Sequence, residues 1–174
     1  MKNKRKLIFF DFDGVIADSF SAAFGVNKMM SPSVSEDDYR KRFDGNINES
    51  AANVPAKEEP RTDIDFFREY RPLLLKSRIF PDVPEVIKKL AGEFTLVIVS
   101  STITNLIAEY LELHDIEQCF SEIMGNDVHT SKIKKIEMAM EKYEIASGDC
   151  WFVTDTLGDI KEAHHAGVKT IAVT

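Results

Sequence analysis

The sequence predicts an α/β fold: a doubly wound parallel sheet with a small helical insert. Three observations predict it. Short, continuous apolar runs recur along the chain, as in strands buried on both faces. Helical patterns separate these runs, and strand–helix alternation is the pattern of a parallel sheet covered on both sides. One stretch, Asp18 to Lys76, breaks the rhythm with helical patterns and little strand-like sequence.

The first strand is predicted at Leu7-Ile8-Phe9-Phe10, ending in Asp11-Phe12-Asp13-Gly14. Phe94 to Val99 is a second, ending in Ser100-Ser101, and Trp151-Phe152-Val153 a third, ending in Thr154-Asp155-Thr156. Val168 to Val173 is a fourth, and Ser121 to Met124 a weaker candidate. Between them, Pro84 to Leu90 follows a turn-rich Pro81-Asp82-Val83. Thr102 to Leu113 repeats Ile103, Leu106, Ile107, Tyr110 and Leu111 on one helix face. Ser131 to Tyr143 repeats Ile133, Ile136, Met140 and Tyr143. Asp159 to His165 ends at Gly167, a natural helix stop. In the insert, Phe20 to Met30, Glu36 to Phe43 and Asp63 to Leu75 read as helices punctuated by Pro32, Gly45, Pro55 and Pro60. This divides the chain into a core of residues 1–17 and 77–174 and a helical unit of residues 18–76. The chain stops at Thr174, where a parallel edge strand normally leads into another covering element.

Composition narrows the function. The 174 residues suit one ordinary domain, or one domain plus a small insert. Lys and Arg number 22 against 29 Asp and Glu, and the net charge of −7 argues against a broad nucleic-acid footprint. Two cysteines, Cys119 and Cys150, make no disulfide framework and read as small core residues. No segment approaches the roughly 20 apolar residues of a membrane helix. The basic start, Met1 to Lys6, precedes too short an apolar run for a signal peptide, so a cytoplasmic location is expected. Trp151 is expected in the core. His164 and His165 sit near a helix end, where the dipole favours them, and are given no catalytic part.

The chemistry collects at strand ends. Asp11 and Asp13, Ser100 and Ser101, Asp155 and Asp159, and Lys132 at a helix start all fall on the carboxyl edge of the sheet, where open parallel sheets bind ligands. Asp11 and Asp13 would stand roughly 6.6 Å apart along an extended chain. Two like charges at 4 Å repel by roughly 4 kcal/mol at an effective dielectric of 20, so clustered carboxylates need a counter-charge. Mg2+ is a natural one, because it favours oxygen ligands and takes one or two carboxylates with phosphate and water. Each residue also has a plainer reading. Asp-x-Asp-Gly can be a turn, Ser100 and Ser101 can cap the helix from Thr102, Lys132 can be solvated, and Asp159 can be an N-cap.

Asp11-Phe12-Asp13-Gly14-Val15 after an apolar strand resembles the first motif of the haloacid dehalogenase-like superfamily. Val97-Ile98-Val99-Ser100-Ser101 resembles its second motif, Lys132 its third, and Thr154-Asp155-Thr156-Leu157-Gly158-Asp159 its fourth. No single motif is specific; four in order are strong together. The resemblance implies a Rossmann-like core with the insert as a helical cap, and a Mg2+-dependent phosphatase for a small phosphorylated metabolite. Asp11 would be the nucleophile, forming an aspartyl-phosphate, and Asp13 the general acid and then base. Ser100, with Ser101 beside it, would bind a phosphoryl oxygen, and Lys132 would neutralise the phosphate and Asp11. Asp11, the backbone carbonyl of Asp13, and Asp155 would hold Mg2+, with Asp159 supporting. Dehalogenating members lack an acid at the place of Asp13, which favours phosphoryl transfer here. The third motif departs from its usual Gly-Lys-Pro: here it reads Thr130-Ser131-Lys132-Ile133. Lys134 and Lys135 are alternatives to Lys132, which is preferred because it opens the helix. In the insert, Tyr39 to Asn46 is a candidate substrate loop, with Arg42 and Asn46 as its contacts. A sugar-phosphate phosphomutase is the nearest rival. A receiver-type phospho-Asp signalling module is the rival from another class.

Overall fold

A computed structural model describes residues 6–46 and 61–174. Five parallel strands form the sheet: β1 (Leu7–Phe10), β4 (Thr95–Val99), β5 (Glu122–Met124), β6 (Cys150–Thr154) and β7 (Lys169–Ala172), in the order β5-β4-β1-β6-β7. The chain starts in the middle, steps outward through β4 and β5, then crosses back to place β6 on the other flank of β1. The order therefore reverses at β1, and open sheets of this kind bind ligands beyond the strand ends at such a reversal. Leu7 stands opposite Thr95 on one side and Cys150 on the other, so β1 is hydrogen-bonded along both edges.

The continuous apolar run in β1 reflects burial on both faces. Ile8 and Phe10 pack into one core with Leu96, Ile98, Ile87 of α4 (Val83–Ala91) and Leu106, Ile107 and Tyr110 of α5 (Thr104–Leu113). Leu7 and Phe9 pack into the other with Val97, Phe152, Ile136 of α6 (Lys132–Tyr143) and Ala163 of α7 (Leu157–His165). Side chains alternate across a strand, so one four-residue segment feeds both layers.

The insert carries α1 (Phe20–Met30), α2 (Glu36–Arg40) and α3 (Phe66–Leu74). The helix expected over Glu36 to Phe43 turns 3-10 at Lys41–Asp44. The one over Asp63 to Leu75 starts later because Asp65 caps it, accepting the Arg68 N–H at 3.0 Å. Two short strands lie at the ends of the insert, β2 (Ala17–Asp18) and β3 (Arg78–Ile79), and pair antiparallel. Neither was expected: two residues are too short for a readable alternation.

Several capping assignments change. Ser100 and Ser101 do not cap α5; its N-cap is Ile103, and Asp127 accepts the Thr104 N–H at 2.7 Å. Asp159 is not the cap of α7, which begins at Leu157 behind Thr156; the Thr156 hydroxyl oxygen accepts the Asp159 N–H at 3.2 Å. Trp151 is only half-buried, with the ammonium groups of Lys6 and Lys169 at 5.1 and 4.8 Å from its ring. It packs its face against lysines rather than against the core.

Phe9 is fully buried and meets Phe152 edge-on at a centroid distance of 6.5 Å. Its truncation to alanine is expected to lower the unfolding free energy by about 3–5 kcal/mol in urea denaturation. A loss below about 1 kcal/mol would contradict a two-sided core through β1.

Candidate active site

The strand ends deliver Asp11, Ser100 and Asp155 to one edge, and the start of α6 brings Lys132 over them. Asp11 directly follows β1, and its N–H still pairs with the carbonyl of Val153 at 2.9 Å, so its position is fixed by the sheet. The Phe12 N–H donates to Asp11 Oδ1 at 2.8 Å, and Lys132 Nζ stands 2.9 Å from Asp11 Oδ2. The same ammonium is 2.7 Å from Asp159 Oδ2, which also accepts the Thr154 hydroxyl at 2.8 Å. Asp11, Lys132 and Asp159 are 5%, 5% and 6% exposed, so this charge cluster lies out of water.

Electrostatics follow from the count of charges. Burial holds Asp11 well above the usual carboxylate range, against the pull of Lys132. Burial acts on Asp159 too, but Lys132 and the Thr154 hydroxyl outweigh it and hold Asp159 low. Burial opposes the charge on Lys132, yet two facing carboxylates push its pKa up. When both carboxylates are ionised, one ammonium leaves one negative charge uncompensated.

Asp155 adds to that surplus. Its residue reaches solvent, but its carboxyl is wedged beside the loop after β1, and partial desolvation there, with repulsion from Asp159 and Asp13, pushes its pKa up to about 6. Gly14, at φ +76°, makes the approach possible: a Cβ there would stand 2.0 Å from Asp155 Oδ2.

Asp13 points elsewhere. Its Oδ1 accepts from the Ser19 hydroxyl at 2.7 Å and the Tyr70 hydroxyl at 2.5 Å, and its Oδ2 from the Thr102 hydroxyl at 2.8 Å. Burial and Asp13 itself raise the Tyr70 pKa, which keeps that phenol a donor. With its carboxylate so engaged, Asp13 offers a cation only its backbone carbonyl. Asp159, bound to Lys132 and Thr154, orients the lysine rather than facing an ion. The four acids thus do not converge as equal ligands, and among the described residues no three His, Cys, Asp or Glu side chains form a metal cage. What remains is two carboxylates, Asp11 and Asp155, beside surplus negative charge. That hard-oxygen set fits Mg2+, which takes few protein ligands and keeps water and phosphate.

A cavity of about 770 Å3 opens over this floor. Asp11, Asp13, Lys132 and Asp155 line its core side, and Arg42 and several aromatic rings line the insert side. Ser101 and Thr102 reach the wall. Ser100 does not: it is fully buried, with its Oγ accepting the Thr102 N–H at 3.0 Å. Asn46 also lies off the wall and donates to Glu162 at 3.0 Å. Of the alternative lysines, Lys134 pairs with Glu137 on the surface. Lys135 is buried, donating to the carbonyls of Ser100 and Gly125, and burial brings its pKa down to about 8. Sequence reasoning missed Ser19, Tyr70 and Thr102. Thr102 was within reach, two residues beyond Ser100; Tyr70, 57 residues from Asp13, left no signal.

The family description "Haloacid dehalogenase-like hydrolase" matches residues 8–173. A phosphoglycolate phosphatase of Vibrio parahaemolyticus is 28% identical over 195 residues, 97% of this chain and 83% of that protein. A haloacid dehalogenase-like family protein of Streptococcus pneumoniae superposes with a TM-score of 0.77 at 20% identity, covering 98% of this chain and 85% of that one. A HAD hydrolase of Bacillus subtilis, solved bound to magnesium, superposes with a TM-score of 0.66 at 16% identity, covering 98% and 87%.

Removing one partner of a buried charge cluster strands the others. Lys132→Met is expected to cost about 3–5 kcal/mol at neutral pH in chemical denaturation. Asp11, raised by burial, binds its proton more tightly folded than unfolded, so its contribution favours folding at low pH and fades as pH rises. The Lys132→Met deficit should therefore shrink on acidification; a deficit independent of pH would contradict the charge assignment.

Proposed function

The chain belongs to the haloacid dehalogenase-like hydrolases, and from that premise we propose that it is a Mg2+-dependent phosphatase for a small-molecule phosphomonoester. The observation that carries this is the pairing of two differently served carboxylates. Asp11 is buried against an ammonium, and Asp13, two residues on, is held by hydroxyl donors at the cavity wall. The ammonium anchors Asp11 for attack, and the Ser19 and Thr102 hydroxyls beside Asp13 can donate or accept as its proton leaves and returns.

Asp11 Oδ attacks phosphorus in line, the bond from phosphorus to the ester oxygen breaks, and Asp13 gives its proton to the departing alcohol. Water then attacks the aspartyl-phosphate, Asp13 takes the proton, and the bond from phosphorus to Asp11 breaks to release inorganic phosphate. Lys132 keeps Asp11 in place and offsets charge on the phosphoryl oxygens, while Asp159 and Thr154 keep Lys132 aimed. Ser101, on the wall, offers a hydroxyl to a phosphoryl oxygen. Mg2+, held by Asp11, Asp155 and the Asp13 carbonyl, would supply the charge stabilisation that phosphoryl transfer needs. The described residues of the insert, 18–46 and 61–76, serve as the cap that screens the reaction from bulk water. The receiver-module rival falls with the family, since a hydrolase turns over.

Asp11→Asn is expected to abolish phosphate release from an aryl phosphate while leaving the circular dichroism spectrum intact. Asp13→Asn should slow release by about 10²–10⁴-fold. Wild-type turnover in the Asp11 variant would overturn the nucleophile assignment.

Chelation of divalent cations by EDTA should silence the enzyme, and added Mg2+ should restore it. Full activity in excess EDTA would remove the metal from the proposal.

A further inference from the structure

Lys135 is fully buried in α6, three residues after Lys132, yet among the described residues no carboxylate forms an ion pair with it. Taking an ammonium out of water is costly, and a methionine would fill similar space without that cost. Burial lowers its pKa only to about 8, so at neutral pH the group stays charged. Its partners are two backbone carbonyls: Nζ donates to Ser100 at 2.5 Å and to Gly125 at 3.3 Å. Both lie just beyond the last paired residues of β4 and β5, Val99 and Met124. Lys135 does not line the cavity, so what it does for the site passes through the loops it holds.

Those two loops are joined again farther on. Ser100 Oγ accepts the Thr102 N–H at 3.0 Å, and the Thr102 carbonyl accepts the Asn126 N–H at 2.9 Å. The fit between them is close: a Cβ on Gly125 would stand 2.6 Å from the Thr102 carbonyl oxygen. At the end of this chain of contacts the Thr102 hydroxyl donates to Asp13 Oδ2 at 2.8 Å. Two carbonyl oxygens drawn to one cation repel each other without it, and the buried Ser100 carbonyl loses its donor.

We propose that Lys135 is a positioning residue: its ammonium clamps the ends of β4 and β5, and the clamp holds the Thr102 hydroxyl on the carboxylate of Asp13. The proposal rests on the phosphatase reading, in which Asp13 protonates the departing alcohol. Losing the clamp lets the 100–102 loop shift, and Asp13 is then aimed less well at the leaving oxygen. The penalty grows with the basicity of that oxygen, because a more basic leaving group depends more on its acid.

The test uses the full chain with Mg2+ and two esters: phenyl phosphate, and 4-nitrophenyl phosphate, whose leaving oxygen is less basic. The measured quantity is kcat/KM, which reports the transfer step in which the esters differ. Lys135→Met is expected to lower it by about tenfold or more for phenyl phosphate and by less than about threefold for 4-nitrophenyl phosphate. Thr102→Val should show the same selectivity, and the double variant should lose no more than the worse single one, since the two residues act through one contact. Circular dichroism checks the fold. Should Lys135→Met not fold, Lys135→Gln, which keeps an uncharged donor, is expected to show the same selectivity at smaller size. Equal losses on the two esters, no loss on phenyl phosphate, or losses that multiply in the double variant would each overturn the inference and leave the phosphatase reading standing. No phosphate from either ester with the wild type would overturn both.

Discussion

A single ammonium between two buried carboxylates organises this site. Lys132 reaches Asp11 at 2.9 Å and Asp159 at 2.7 Å, and water is excluded from all three. Desolvating three charges is costly, and the cluster persists because each member has fixed partners: the Phe12 N–H on Asp11 and the Thr154 hydroxyl on Asp159. The cost sets the chemistry too. With both carboxylates ionised, one negative charge is left over and makes the floor of the cavity receptive to a divalent cation, while burial keeps the pKa of Asp11 above the usual carboxylate range.

The insert contributes side chains to the candidate site, not only a wall of its cavity. Tyr70 of α3 and Thr102 from the loop after β4 meet on the Asp13 carboxylate, with Ser19 from the start of the insert. Closeness at the other end is set by glycine. A Cβ on Gly158 would stand 2.3 Å from the carbonyl oxygen of Gly45, so the end of the 3-10 turn lies directly on the first turn of α7. Arg71 of α3 and Glu109 of α5 add a paired contact on the outside. The Asp13 carboxylate is therefore oriented by groups from both the insert and the core.

Much of this was legible along the chain. The runs Leu7 to Phe10 and Phe94 to Val99 announced strands buried on both faces, because such strands favour apolar residues at consecutive positions. The acids at Asp11, Asp13 and Asp155 were legible because strand ends put them on one edge. Caps were less so. Ser100 and Ser101 resemble a helix start, yet Asp127, 23 residues after Thr104, supplies the acceptor, and no local pattern encodes that.

The sequence by itself determined the fold class, the family and the sheet edge on which the candidate site residues gather, since each depends on periodicity and order along the chain. Tertiary structure alone decided the division of labour among like residues. It sent Lys132 to the carboxylates and Lys135 to backbone carbonyls, turned the Asp13 carboxylate to hydroxyls, sank Ser100 beneath the wall, and tied Arg42 to Asn27 within the insert. The reason is physical. A charged side chain's role depends on which groups share its desolvated volume, and those groups come from segments that the chain sequence keeps far apart.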